Sequence, residues 1–351
     1  MSTLFQPLTL RGTTLRNRVV VSPMCQYSCV DGLPTDWHLV HLGSRAVGGA
    51  GLVLTEASAV SPEGRISPDD AGLWDEAQAE RWARVTAFVK AQGAVPGVQL
   101  AHAGRKASTY RPWHEKRGTV PVEEGGWPTV APSAVAFGRY AVPRELDAEG
   151  IAKVVTDFRA AAERAQRAGF EVIELHAAHG YLLHQFLSPL ANTRTDAYGG
   201  SFTGRSRLLL EVVAAVREVF AGPLLVRISG TDWVEGGWTV DDSVRLAPLL
   251  AAAGVDLVDV SSGGLHHAQQ IPVGPGYQVP LAEAVRAAGI PTGAVGLITE
   301  PKQAEEILTS GQADVVLLAR ELLRDPYWPL RAATELGDEI TWPKQYERAR
   351  P

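Results

Sequence analysis

Cysteine is scarce in this chain: Cys25 and Cys29 are its only two among 351 residues. Two thiols cannot build a disulfide scaffold or ligate an iron–sulfur cluster, and their scarcity fits a reducing compartment. A basic excess is missing too, since 33 Lys and Arg stand against 39 Asp and Glu, a formal net charge of −6 with a pI near 5.9. That balance excludes a general binder of nucleic acid or acidic membrane, so any anionic ligand must be held by local cations. No run of about 18 apolar residues occurs, and Met1 to Arg18, with Arg11, Arg16 and Arg18, has no apolar core of a signal peptide. Low-complexity tracts, interdomain linkers and repeats with a period of about 20–50 residues are also missing. The expectation is an untargeted cytoplasmic protein with no nucleic-acid or membrane partner.

What remains is near the globular average, 45% hydrophobic and 21% charged, so a sizeable core is available. The second half repeats one phrase: an amphipathic stretch, a glycine break, a short β-branched run, then a polar or glycine loop. Asp147 reads as an N-cap, Ile151, Val154, Val155, Phe158 and Ala162 share one helical face, and Gly169 ends the helix. Strands are expected at Val19–Ser22, Leu52–Thr55, Val95–Leu100, Glu171–His176, Leu224–Ile228, Leu257–Ser261, Thr292–Val295 and Val315–Leu318. A helix from about Gln78 to Ala91 is expected to separate the second and third. Short apolar strands alternating with helices imply an α/β fold with a parallel sheet, and this count favours a closed (β/α)8 TIM barrel. Pro7–Leu15, with Arg11-Gly12 at its centre, predicts an N-terminal hairpin below the barrel. The long excursion after strand 3, residues 103–146, carries five prolines and two tryptophans and reads as a lid inside a single domain spanning residues 1–351.

Function in such a barrel sits where strands end. Here they end in Ser22-Pro23-Met24-Cys25-Gln26-Tyr27, in Glu56-Ala57, in Gln99 followed by His102 to Lys106, in His176-Ala177-Ala178-His179-Gly180-Tyr181, in Arg227, in Ser261 to Gly264, in Gly296 and in Ala319-Arg320. His176 and His179 admit three readings: metal ligands, hydrogen-bond donors to a carbonyl, or satisfied core groups. Zinc is disfavoured because strand 1 offers no His-x-His and Glu174 falls within a strand, so no metal is expected. Tyr181 favours a carbonyl-polarising site with a proton donor. Arg227 and Arg320 follow strands 5 and 8, where barrels hold phosphate, and Gly263, Gly264, Gly293 and Gly296 would allow close backbone approach. Cys25, just past strand 1, reads either as a thiol aimed at the same pocket or as a buried inert cysteine.

These motifs resemble the old yellow enzyme family, in its thermophilic-like subclass, over essentially the whole chain. The most specific are Ser-Pro-Met-Cys-Gln-Tyr at 22–27, Gln-Leu-Ala-His-Ala-Gly-Arg-Lys-Ala at 99–107 and His-Ala-Ala-His-Gly-Tyr-Leu at 176–182. The stretch from Ser188-Pro189 to Arg207 is similar as well. The resemblance implies noncovalent FMN at the barrel mouth, touched by Ser22, Pro23, Met24, Cys25, Ala57 and Gln99, with Arg227 near N1 and O2. Its phosphate would lie around Gly296, Ala319 and Arg320, and this chain has Ala319 where the family usually has glycine. Cys25 would tune the flavin rather than act as a nucleophile. The implied activity is that of an NADPH dehydrogenase or ene-reductase: NADPH or NADH supplies hydride, and a ping-pong cycle reduces the C=C bond of an α,β-unsaturated ketone or aldehyde. His176 and His179 would bind the carbonyl, Tyr181 would protonate the α-carbon, and Tyr27 and Lys106 would shape the substrate site. Arg348, in the tail 340–351, resembles an arginine that the subclass inserts into a neighbouring subunit, implying a homodimer or homotetramer. The tail ends Ala349-Arg350-Pro351 and not in an aromatic. The alternatives are a non-catalytic flavin-binding barrel and a hydrolase using Glu56 and Glu174. Iron–sulfur dienoyl-CoA reductases are excluded by the two cysteines.

Overall fold

Apolar side chains recur at alternate positions of short strands, and in the computed structural model, which describes residues 1–351, that alternation closes the chain into a barrel. An antiparallel hairpin comes first, β1 (Leu8–Leu10) and β2 (Thr13–Leu15), with Arg11 and Gly12 at positive φ in its turn. The barrel strands β3 (Val19–Val21), β4 (Leu52–Ala59) and β5 (Val95–Ala101) follow. The excursion contributes only the short parallel pair β6 (Val130–Ala131) and β7 (Arg144–Glu145). The barrel is completed by β8 (Val172–Ala177), β9 (Leu224–Ser229), β10 (Leu257–Ser261), β11 (Thr292–Val295) and β12 (Val315–Leu318), and β12 pairs with β3 to seal it. All eight barrel strands are parallel, so their C-terminal ends open at one mouth.

Helices lie between the strands: α1 (Asp36–Val47), α2 (Glu76–Ala91), α3 (Ala148–Arg167), α4 (Leu182–Leu187), α5 (Phe202–Val219), α6 (Val240–Ala252), α7 (Val279–Ala287), α8 (Pro301–Thr309), α9 (Arg320–Arg324) and α10 (Trp328–Leu336). Their ends follow local chemistry. The Asp147 carboxylate accepts the Gly150 N–H at 2.8 Å to start α3, and Gly169 at φ +83° turns the chain back into β8. Asp75 caps α2 through the Ala77 N–H, so the helix begins at Glu76, two residues before the expected start.

Two apolar shells result. Inside the barrel, Val20, Leu52, Val95, Val172, Leu225 and Leu257 pack with Leu10 and Leu15 of the hairpin, which thereby plugs the bottom. Outside, Val19, Val21, Val53, Ile173 and Val258 meet the helices through residues such as Trp82, Phe158 and Val212. Each fully buried Val or Leu contributes about 1.5–3 kcal/mol, so a register slip of one residue, exchanging the two faces, is excluded.

Candidate active site

Strand parity decides what faces the barrel axis. Because Val172, Leu225, Leu257, Val95 and Val20 point inward, so do Glu174 and His176, Arg227 and Ser229, Asp259 and Ser261, Gln99, and Ser22. Register then places Gln99 beside Glu174, and Arg227 between His176 and Asp259. Above the apolar plug the barrel therefore carries a buried polar layer. Arg227 donates through Nη2 to Ser22 Oγ at 2.7 Å and through Nε to the Asp259 carboxylate, with Glu174 Oε1 3.8 Å away. Gln99 Nε2 donates to Glu174 Oε1 at 2.8 Å. Burial works against the Arg227 charge, yet Asp259 and Glu174 hold the guanidinium protonated. Burial and the neighbouring Asp259 push Glu174 up to about 8.

One turn of chain higher, β8 ends in the histidine pair. The rings of His176 and His179 lie 5.2 Å apart edge to face, and Tyr181 lies 4.9 Å from His176. His176 Nδ1 accepts the Ala178 N–H at 3.3 Å, so the neutral ring carries its proton on Nε2. His179 sits at φ +58°, a strained setting for a side-chain-bearing residue. Its N–H donates to Ser229 Oγ at 2.9 Å, its carbonyl accepts Lys106 Nζ at 2.7 Å, and its Nε2 lies 2.7 Å from Ser261 Oγ. Burial, reinforced by the charges of Arg227 and Lys106, holds both imidazoles well below their ordinary range, while burial pushes the Tyr181 phenol well up. At neutral pH the group therefore presents neutral imidazoles and an intact phenol.

Lys106 ties the mouth together: Nζ bonds the carbonyls of His179 and Gly264 and lies 5.0 Å from the Tyr181 ring centre. Gly264 leaves room for the chain and not for a ligand, since a Cβ there would stand 2.5 Å from His179 Cα. Gly293 likewise packs against Leu317 in the barrel wall, and Gly263 against Gln269, so of the four glycines singled out by sequence only Gly296 lines the cavity.

Cys25, Tyr27 and Tyr181 pack on a small cluster containing Ala57, Ala101 and Ala103. A register irregularity in β4 between Leu54 and Ala57 re-aims Glu56, whose carboxylate accepts the Gln26 N–H at 2.8 Å and pairs with His38 Nε2 at 2.8 Å. That fixes the loop bearing Cys25. Cys29, His38 and Glu56 lie close enough to share a metal, but His38 Nδ1 already accepts the Thr35 N–H, so Nε2 keeps its proton toward Glu56. Burial, with Asp70 and Glu56 nearby, pushes the Cys25 thiol well up and keeps it neutral. Tyr27 meets Trp113 of the excursion edge to face at 5.7 Å. Met24 packs on the outer apolar shell.

A cavity of about 240 Å³ runs from Ser22, Pro23, His179 and Arg227 to Gly296, Ala319 and Arg320. Its far end suits an anion. Arg320 forms no salt bridge, and Gly296, at φ +120°, forms a cradle that a Cβ would fill by meeting Gln278 Nε2 at 2.7 Å. Arg227 offers a second cation at the near end. These groups fit a flat, phosphate-bearing cofactor. Arg348 lies apart, exposed in the turn Lys344–Ala349 beyond α10.

Sequence reasoning gave no role to Asp259, Ser261 or Gln278. Strand parity could have found the first two. Nothing local marks Gln278, which bridges Ser262 Oγ at 2.6 Å and the Val295 carbonyl at 2.9 Å.

The model of the NADH:flavin oxidoreductase / NADH oxidase family matches residues 3–339. An NADPH dehydrogenase of Geobacillus thermodenitrificans is 52% identical over 349 residues, 98% of each chain, and that of Bacillus subtilis is 49% identical over 98% of each. Among solved structures, morphinone reductase superposes with a TM-score of 0.80 at 31% identity, covering 98% of this chain and 92% of its own. A 2-naphthoyl-CoA reductase gives 0.86 at 26% identity over 96% of this chain, which spans about half (52%) of that longer protein. No helix of the structure is long and apolar enough to cross a membrane.

Proposed function

This chain belongs to the NADH:flavin oxidoreductase / NADH oxidase family, the old yellow enzymes, and from that premise we propose that its barrel mouth is the active site of an FMN-dependent ene-reductase. The observation that carries this reading is a neutral histidine pair beside a protonated tyrosine, with His179 of that pair lining a cavity that has cations at both ends. FMN held there would supply hydride transfer from NADPH or NADH to an electron-poor alkene carbon. Ser22, Pro23, Cys25, Ala57 and Gln99 would flank its ring, Arg227 its anionic edge, and Gly296, Ala319 and Arg320 its phosphate.

The chain's own contribution is polarisation and protonation. His176 and His179 donate hydrogen bonds to the carbonyl oxygen of an α,β-unsaturated ketone or aldehyde, which leaves its β-carbon electron-poor. Tyr181, un-ionised and buried, delivers a proton at the α-carbon. Tyr27 and the excursion close over the substrate, and Lys106 supports that wall by holding His179 and Gly264. We assign the whole chain to one catalytic domain working in the cytoplasm as a homo-oligomer, with Arg348 completing a neighbouring copy's site.

The hydrolase reading meets Glu56 and Glu174 committed to separate buried networks, one with His38 and one with Gln99 and Arg227. A purely flavin-binding barrel would not require the strained, three-fold tethering of His179. The deciding experiment is the visible spectrum of purified protein under anaerobic NADPH: the flavin band should bleach, then return on addition of cyclohexenone. Colourless folded protein that takes up no FMN overturns the reading.

A further inference from the structure

Two carboxyl groups lie within the barrel with one arginine between them. Glu174 of β8 and Asp259 of β10 are each 0% exposed, and Arg227 of β9 is 4% exposed. Two ionised carboxylates against one guanidinium would leave a net negative charge in a dry interior, at a cost of several kcal/mol. The hydrogen bonds show how the charge is distributed. Asp259 takes the Arg227 Nε bond, while Glu174 stands further off at 3.8 Å and has Gln99 Nε2 on Oε1. The other oxygens, Glu174 Oε2 and Asp259 Oδ1, are both buried and have no donor from any third residue. The two carboxyl groups lie within hydrogen-bonding reach of one another, so one proton held between them supplies the donor that both lack. The charged groups facing Glu174 are Arg227 and Asp259; from β5 it meets only the uncharged Gln99 amide, and the nearest titratable group toward the mouth, His176, is neutral.

We propose that Glu174 and Asp259 share one proton and act together as a proton-linked counter-charge to Arg227, so that this arginine's hold on an anionic cofactor weakens when the proton leaves for solvent. With the proton in place, Asp259 alone offsets the arginine. Without it, a second negative charge enters the polar layer below the cavity. Burial and Asp259 both favour the protonated form of Glu174 at neutral pH. Negative charge gained by a cofactor beside Arg227 raises the proton affinity of the pair further, so proton uptake and reduction are coupled in the same direction. The second half of this inference rests on the flavin reading above; the shared proton does not.

Glu174→Gln copies the protonated state, since its oxygen can accept from Gln99 and its amide can donate to Asp259. Infrared spectra of protein with isotopically labelled glutamate, at pH 7 and without cofactor, should show a carboxylic-acid band that Glu174→Gln removes. Asp259→Asn should remove it too, because Arg227 then takes Glu174 as its only counter-ion and ionises it. In FMN-loaded protein the midpoint potential should fall more steeply with pH above about 8, by one extra proton per two electrons, and Glu174→Gln should lack that extra proton. A carboxylic-acid band that survives in Asp259→Asn overturns the shared proton, and potential–pH curves that run parallel in the parent and Glu174→Gln overturn the coupling. Failure to take up FMN overturns the flavin reading together with the coupling, while the infrared arm decides the shared proton by itself.

Discussion

Ser261 Oγ lies 2.7 Å from His179 Nε2, while its other partner, Gln278 Oε1, is 3.4 Å away and already accepts Ser262 at 2.6 Å. The Ser261 hydroxyl is thus free to donate to the imidazole, which leaves the His179 proton on Nδ1 and available to a substrate carbonyl. Ser261→Ala should raise KM for cyclohexenone about tenfold, the loss of about one hydrogen bond, with FMN content unchanged. Ser261→Thr, which keeps the hydroxyl, should restore most of it. Equal KM in all three proteins contradicts the tautomer assignment.

Tyr181→Phe keeps the ring against His176 and removes only the phenolic proton. Anaerobic reduction by NADPH should proceed at the parental rate, whereas single-turnover oxidation by cyclohexenone should slow about 100-fold, the usual scale of a lost general acid. Stopped-flow absorbance separates the two halves. An unchanged oxidative rate removes Tyr181 from the donor role.

Arg320 has no carboxylate partner, so its charge is available to a ligand. Arg320→Ala should weaken FMN retention at least about tenfold, the scale of a charge-assisted hydrogen bond, measured by fluorescence titration of the apoprotein. Retention equal to the parent's moves the phosphate elsewhere.

Burial lowers His102 to about 4. The unfolded chain then binds a proton at a pH where the native chain does not, so stability from this residue is present above about 6.5 and is lost as pH falls toward 4. His102→Gln should therefore gain on the parent between pH 7 and pH 5 by about 2 kcal/mol, read from urea midpoints at both pH values. A stability difference independent of pH contradicts a neutral His102.

Truncation after Gln345 removes Arg348 and opens the apolar hollow of about 540 Å³ between α10 and the tail, lined by Leu330, Trp342 and Tyr346. Light scattering should show a smaller assembly, and KM for cyclohexenone should rise. Unaltered assembly and KM remove the tail from the site.

Most of the scaffold was legible because its signals are local. Short apolar runs, in the second half after glycine breaks, marked all eight barrel strands, seven of them to within a residue or two; β4 runs on to Ala59 through its irregularity. The site motifs were legible for the same reason: His176, His179 and Tyr181 are neighbours in the chain. Lys106 was legible as a residue but not in its contact, because its ammonium meets carbonyls 73 and 158 positions away.

Composition, periodicity and motif alone determined the closed α/β barrel and the family. Tertiary structure alone decided where charge resides. Arg227 meets Ser22 from 205 residues away and Asp259 from 32, and Glu174 is pushed toward its protonated form because closure removes water from around it and brings Asp259 alongside. Spacing along a strand is a property of covalent geometry, whereas desolvation and pairing exist only once the barrel has closed.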